Sequence, residues 1–154
     1  MYNTLRADLE LDGSRVLDLF AGSGAVGLEA LSRGAAAAVF VESDRSAVAV
    51  LQQNVAAVGC SGAAVHRCTV QTYLAATGAD EPFDLVFMDP PYALDAAAVN
   101  RLVGLLVQHG WLLDGGIVVV ERSWRAPEPS WPDEIKAMRQ RRYGEGCLWY
   151  GRRE

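Results

Sequence analysis

Two stretches of this 154-residue chain carry residue types whose spacing could do chemistry. In the first, Val16 to Phe20 is a short apolar run broken only by Asp18, and Ala21-Gly22-Ser23-Gly24-Ala25-Val26-Gly27 follows it. Such a run suits a strand covered on both faces. Gly22, Gly24 and Gly27 match the G-x-G-x-x-G spacing between a strand and a helix. On this reading the first glycine permits a tight turn, the second lets a ligand approach the backbone, and the third lets the helix pack against the strand. A second apolar run, Ala38 to Val41, ends in Glu42. That carboxylate is placed to accept hydrogen bonds from both hydroxyls of a ribose. In the second stretch an apolar run ends at Met88 and gives way to Asp89-Pro90-Pro91-Tyr92. This sets a carboxylate, a carbonyl held by stiff neighbours and a flat aromatic face side by side.

The glycine pattern predicts a cofactor that contains adenosine, without choosing between NAD and S-adenosylmethionine. Asp18 tips the balance. A pyrophosphate at the helix N-terminus would be repelled by a nearby carboxylate, whereas the amino and sulfonium groups of S-adenosylmethionine are cationic. Asp89-Pro90-Pro91-Tyr92 then suits methyl transfer to an exocyclic base amine. Such a nitrogen is a poor nucleophile because its lone pair is delocalised into the ring. The Asp89 carboxylate and the Pro90 carbonyl can each accept one N–H, which localises and aims the lone pair and stabilises the positive charge that develops. Tyr92 offers a stacking face for an extruded base, worth about 1–3 kcal/mol. Asp89 need not be a strong base, since the ammonium product is acidic.

The elements that must position these residues alternate. Strands are expected at about 16–20, 35–42, 63–68, 83–88 and 117–121, and helices at about 24–32, 45–58, 70–76 and 95–108. Ser43-Asp44 and Asp95 read as helix caps, Gly34 and Gly59 as helix stops, and Asp114-Gly115-Gly116 as a turn before the fifth strand. Residues 1–11 read as the end of a helix leading to an Asp12-Gly13 turn. The prolines at 127, 129 and 132 predict an irregular link, and residues 135–143 and 147–152 a hairpin around Gly144-Glu145-Gly146. Alternating strands and helices predict an α/β fold: a mostly parallel, seven-stranded, Rossmann-like sheet with helices on both faces and an antiparallel C-terminal hairpin. Ligands of such sheets bind at the carboxyl ends of the strands, where the glycine loop, Glu42, Cys68-Thr69 and Asp89–Tyr92 all fall.

The length predicts one domain, residues 1–154. Hydrophobic residues make up 51% and charged ones 21%, as in globular domains. No apolar run reaches the length of a membrane span, and no secretory signal is read at the start. Cys60, Cys68 and Cys147 show no metal-ligand spacing, so no metal is expected and a reduced, cytoplasmic setting is. The net charge of −5 argues against strong nonspecific nucleic-acid binding. Charge is uneven, however. Residues 121–154 hold eight of the fourteen basic residues, and Arg122, Arg125, Lys136, Arg139, Arg141 and Arg142 could form a local basic face.

Asp18-Leu19-Phe20-Ala21-Gly22-Ser23-Gly24, Gly27-Leu28-Glu29-Ala30-Leu31-Ser32-Arg33-Gly34, Phe40-Val41-Glu42, Asp89-Pro90-Pro91-Tyr92 and Arg142-Tyr143-Gly144 together resemble the RsmD family of bacterial 16S ribosomal RNA (guanine-N2) methyltransferases. The resemblance implies a class I methyltransferase fold and methyl transfer from S-adenosylmethionine to the N2 amine of guanine 966. It implies contacts from Asp18, Gly22 and Gly24 to the methionine end of the cofactor, from Glu42 to its ribose and from Thr69 and Val70 to its adenine. Phe20, Ala21, Ser43 and Asp89 complete the implied cofactor set, and Asp89, Pro90, Pro91 and Tyr92 the catalytic one. The partner implied is 16S ribosomal RNA or the small ribosomal particle, met by a monomer away from membranes. Thr69 departs from the acid or amide that many relatives in the wider superfamily carry there. The family also begins with a basic segment and a helix, of which Met1-Tyr2-Asn3 resembles only the tail. A shortened chain that binds cofactor but grips RNA poorly is therefore expected.

Three other readings remain. DNA adenine-N6 or cytosine-N4 methyltransferases use the same Asp-Pro-Pro-Tyr chemistry, but 154 residues leave no obvious inserted recognition domain. An NAD-dependent oxidoreductase fits the glycines and Glu42 but leaves Asp89–Tyr92 without a role. A non-catalytic cofactor- or RNA-binding module fits the glycine loop alone.

Overall fold

The computed structural model describes residues 9–76 and 81–154. Residues 1–8, and with them most of the expected N-terminal helix end, lie outside the described residues, and Leu9 to Leu11 are not helical. The elements run β1 (Arg15–Leu19), α1 (Ala25–Ser32), β2 (Ala37–Glu42), α2 (Arg45–Val58), β3 (Ala63–Arg67), α3 (Val70–Ala75), β4 (Phe83–Met88), α4 (Ala96–Gln108), β5 (Leu112–Ser123), β6 (Ile135–Tyr143) and β7 (Gly146–Arg153). They build a seven-stranded sheet in the order β3-β2-β1-β4-β5-β7-β6. The first five strands run parallel to one another, and β7 runs antiparallel between β5 and β6.

Side chains of the central strands alternate between two apolar layers. Leu17, Leu19, Met88 and Val120 face α3 and α4, while Val16, Phe87 and Val119 face α1, with Phe40 and Leu51 packed alongside. Each strand must therefore be apolar on both faces, which is why these runs lack the polar alternation of a half-exposed sheet. Local chemistry sets the helix ends. Asp44 and Asp95 accept the Ala47 and Ala98 N–H groups at 2.9 and 2.8 Å, and Gly59 ends α2 at φ 71°. Among the described residues no helix is long and apolar enough to cross a membrane.

Two details differ from the sequence reading. The chain does not turn once at Asp114-Gly115-Gly116 and then start a strand. It enters the sheet at Leu112, opposite Phe83, bulges through 113–116, and re-enters at Ile117, opposite Leu85. Gly116 fits there because a Cβ would come within 2.8 Å of the Leu113 carbonyl. At the start of the chain, Phe20 does not extend β1. It turns at φ 59°, a left-handed conformation that costs a non-glycine residue on the order of 1 kcal/mol.

Gly27 carries the helix-to-sheet contact. A Cβ on it would sit 2.4 Å from Cε2 of Phe40, whose ring is fully buried. Alanine would gain about 1 kcal/mol in helix propensity but meet an overpacking cost of about 1–3 kcal/mol. Gly27→Ala should therefore lower stability by up to about 2 kcal/mol in urea denaturation, and Phe40→Leu should partly restore it in the double variant.

Candidate active site

The sheet order reverses between β1 and β4, and this switch point opens a crevice at the carboxyl ends of the strands. Asp18 lies beneath it. Only 2% exposed, it accepts the Gly27 N–H at 3.0 Å. Burial, helped by the charges of Asp89 and Glu42 and opposed by the Gly27 hydrogen bond, pushes its carboxyl up to about 8. The loop above is held from two sides. Gly24 N–H donates to the Ala21 carbonyl at 2.9 Å, and the Asn54 amide donates to the Ser23 carbonyl at 2.9 Å.

The glycines divide the work differently from the sequence expectation. Gly24, at φ 87°, faces inward, where a Cβ would strike Leu51 at 2.3 Å. Its bareness serves packing rather than ligand approach. Gly22, at φ 57°, has open space where its Cβ would be, and it donates its N–H to Oε1 of Glu42 at 2.8 Å. Oε2 of Glu42 takes the Asp44 N–H at 2.9 Å. The carboxylate is thus fixed by two backbone donors while each oxygen keeps a lone pair for a ligand.

Two clefts open along this edge. One, about 890 Å³, is lined by Phe20, Glu42, Ser43, Thr69 and Val70, with the Leu94, Leu102 and Leu105 side chains opposite. Thr69 caps α3 there. Its hydroxyl accepts the Thr72 N–H at 3.0 Å and donates to the Thr72 hydroxyl at 2.8 Å, which leaves one lone pair for an adenine amine. The other cleft, about 550 Å³, is lined by Asp89, Pro90, Pro91 and Tyr92 on one side and by Glu121, Arg122 and Tyr143 on the other. Asp18, Ala21, Gly22 and Gly24, which the sequence reading set against the cofactor, line neither of these two clefts.

Tyr92 is 89% exposed, a large aromatic ring held out from the fold. The chain after it is braced by Arg122, which donates to the Leu94 carbonyl at 3.0 Å. Asp89 stands at the rim. Loss of hydration, then the charge of Glu121, raise its carboxyl to about 6, against the pull of Arg122. Tyr143 donates its hydroxyl to Oε2 of Glu121, and burial with this bond pushes the phenol well above its ordinary value. Glu121 and Tyr143 are the site residues that sequence reasoning passed over. Their signal was that Glu121 ends an apolar strand run next to the Asp89 strand.

The expected basic face is largely engaged within the hairpin. The Arg125 and Arg142 guanidiniums both lie against the Trp124 ring, 4.4 and 3.9 Å from its centroid, and Arg139 lies over Tyr150. Arg125 also pairs with Glu145 at 2.5 Å.

The reversed strand order, the antiparallel β7 and the glycine loop facing Asp89–Tyr92 define a Rossmann-like class I methyltransferase fold. A family model described as "Conserved hypothetical protein 95" matches residues 1–152. Ribosomal RNA small subunit methyltransferase D of Escherichia coli K12 is 36% identical over 132 residues, 86% of this chain and 65% of that protein. The solved Escherichia coli protein yhhF superposes with a TM-score of 0.86 at 34% identity, covering 94% of this chain and 79% of that one. A conserved hypothetical protein of Streptococcus pyogenes gives 0.84 at 32% identity, covering 93% and 88%. The chain belongs to the family so described, and the RsmD resemblance carried by the motifs is borne out. It spans 65% of the length of that first curated relative.

The raised Asp18 group stabilises the fold while protonated. That contribution is complete below about pH 4 and is lost as pH rises towards 8. Asp18→Asn keeps an acceptor for Gly27 without the charge. Its Tm should gain on the parent between about pH 4 and 8 and gain no more above 8, as read by thermal melts across that range.

Proposed function

We propose that this chain binds S-adenosylmethionine across the carboxyl edge of β1, β2 and β3 and transfers its methyl group to the exocyclic N2 amine of a guanine in small-subunit ribosomal RNA. The observation that carries this is the position of Asp89-Pro90-Pro91-Tyr92. It follows β4 directly, across the switch point from the glycine loop, in a cleft of its own. The name of the ribosomal RNA methyltransferase relative supports the substrate class.

The residues present fit the cofactor. Glu42, held by two N–H donors, suits a ribose diol, and the open side of Gly22 leaves room for a ligand against the backbone. Asp18, costly to ionise alone, would favour a nearby cation. When bound, the cofactor supplies a methyl group made electrophilic by the attached positive sulfur. The chain's own residues prepare the amine. The Asp89 carboxylate and Pro90 carbonyl each accept one N–H and turn the lone pair towards the methyl group. Tyr92 stacks the base, and Arg122 braces the following chain through Leu94. No residue needs to remove the proton before transfer.

Labelled methyl from S-adenosylmethionine, offered to small ribosomal particles lacking guanine-N2 methylation and to DNA in parallel, tests the reading. Label in the ribosomal RNA as N2-methylguanine is expected, and label confined to DNA would overturn it. Asp89→Ala should lower turnover at least about 100-fold with little change in cofactor affinity. Because Asp89 accepts hydrogen bonds when ionised, turnover should fall below about pH 6 with unit slope. Asp89→Asn should retain more activity than Asp89→Ala and lose that acid limb.

A further inference from the structure

We infer that Glu121 reads the ring N1–H of the target guanine, and that Tyr143 is the positioning residue that aims it. This rests on the methyl transfer proposed above. Two acceptors, from Asp89 and Pro90, can hold any exocyclic NH2, and adenine, cytosine and guanine all carry one. They cannot tell the bases apart. What differs is the ring nitrogen beside the amine. Of the two that flank the guanine amine, N1 is an N–H donor, whereas the one beside the amine of adenine or cytosine is a bare lone pair. A third acceptor next to Asp89 would bind the first and repel the others.

Glu121 stands where that acceptor is needed. Met88 and Val120 are paired residues of parallel neighbours β4 and β5, and Asp89 and Glu121 are the residues that follow each. Both line the 550 Å³ cleft with Tyr92. They are close enough for the charge of one to disfavour that of the other. The Tyr143 hydroxyl, from the end of β6, holds Oε2 of Glu121 and fixes the direction of the carboxylate. Glu145, the other acid in the cleft wall, is taken by Arg125 at 2.5 Å. A carboxylate left facing a lone pair loses its hydrogen bond and its water together, the arrangement that gives polar sites their largest discrimination.

The test uses small ribosomal particles reconstituted with either guanine or 2,6-diaminopurine at the acceptor position found by the labelling experiment. Diaminopurine keeps the 2-amine but has a lone pair at N1. The parent chain should prefer guanine by at least about tenfold in kcat/KM. Glu121→Gln can turn its amide NH2 to that lone pair, so the preference should shrink to within about threefold. Tyr143→Phe should shrink it part of the way, with cofactor Kd as in the parent, and it carries the test if Glu121→Gln does not fold. A preference undiminished in both variants would overturn the assignment and leave Asp89 reading both donors. A parent chain that labels no guanine particle would instead overturn the methyl-transfer reading, and this inference with it.

Discussion

The bond from the Gly27 N–H to the buried Asp18 carboxyl is the contact on which the glycine-loop edge of the sheet depends. Helix α1 begins after Gly24, which carries no side chain to cap it. Its third residue would leave an unpaired donor inside the protein, where such a group costs about 1–3 kcal/mol. Asp18 meets that donor from the strand before the loop, so strand and helix are tied across the turn that separates them. The tie fixes the depth of α1 against Phe40. That depth leaves space for glycine alone at 24 and 27, and it turns Gly22 outward. A carboxyl in so dry a place prefers its proton. The same group that secures the fold is therefore one that a positive ligand would help to ionise.

From that anchored loop the site extends by register. Parallel pairing of β1 with β2 and β4, and of β4 with β5, brings Phe20, Glu42, Asp89 and Glu121 to one edge although they are spread over a hundred residues of chain. Of the two clefts, one is walled by α4 and the other by the β6–β7 hairpin. Neither helix capping nor side-chain chemistry alone would gather these residues at one edge. The strand order does that.

The alternating strands, the caps at Asp44 and Asp95 and the hairpin were legible because each is written in neighbouring residues: an apolar run, a carboxylate three residues ahead of an N–H, a glycine between two strand patterns. The places of Asp18, Glu42 and Asp89 on the sheet were legible because each stands within or just after an apolar strand run. What escaped was set by partners distant in sequence. The bulge at 113–116 exists because Phe83 and Leu85 pair with Leu112 and Ile117. The inward role of Gly24 depends on Leu51, and the engagement of Thr69 on the helix it caps. Glu121 and Tyr143 become a pair only once β5, β7 and β6 lie side by side. Arg125 and Arg142 offered a free basic face in sequence, yet in space they stack on Trp124.

The placement of β7 between β5 and β6 has a consequence for how the protein is made. β5 and β6 do not touch as neighbours, and the strand that joins them follows both in the chain. A chain growing from its N-terminus can assemble β1 to β5 with their helices as soon as they emerge, but the flank of β5 then stands open with its backbone groups unpaired. The wall bearing Tyr143 is also missing at that stage. The cleft beside α4 and the cleft beside the hairpin would thus mature at different times in synthesis, the second only after residues 146–153 have emerged.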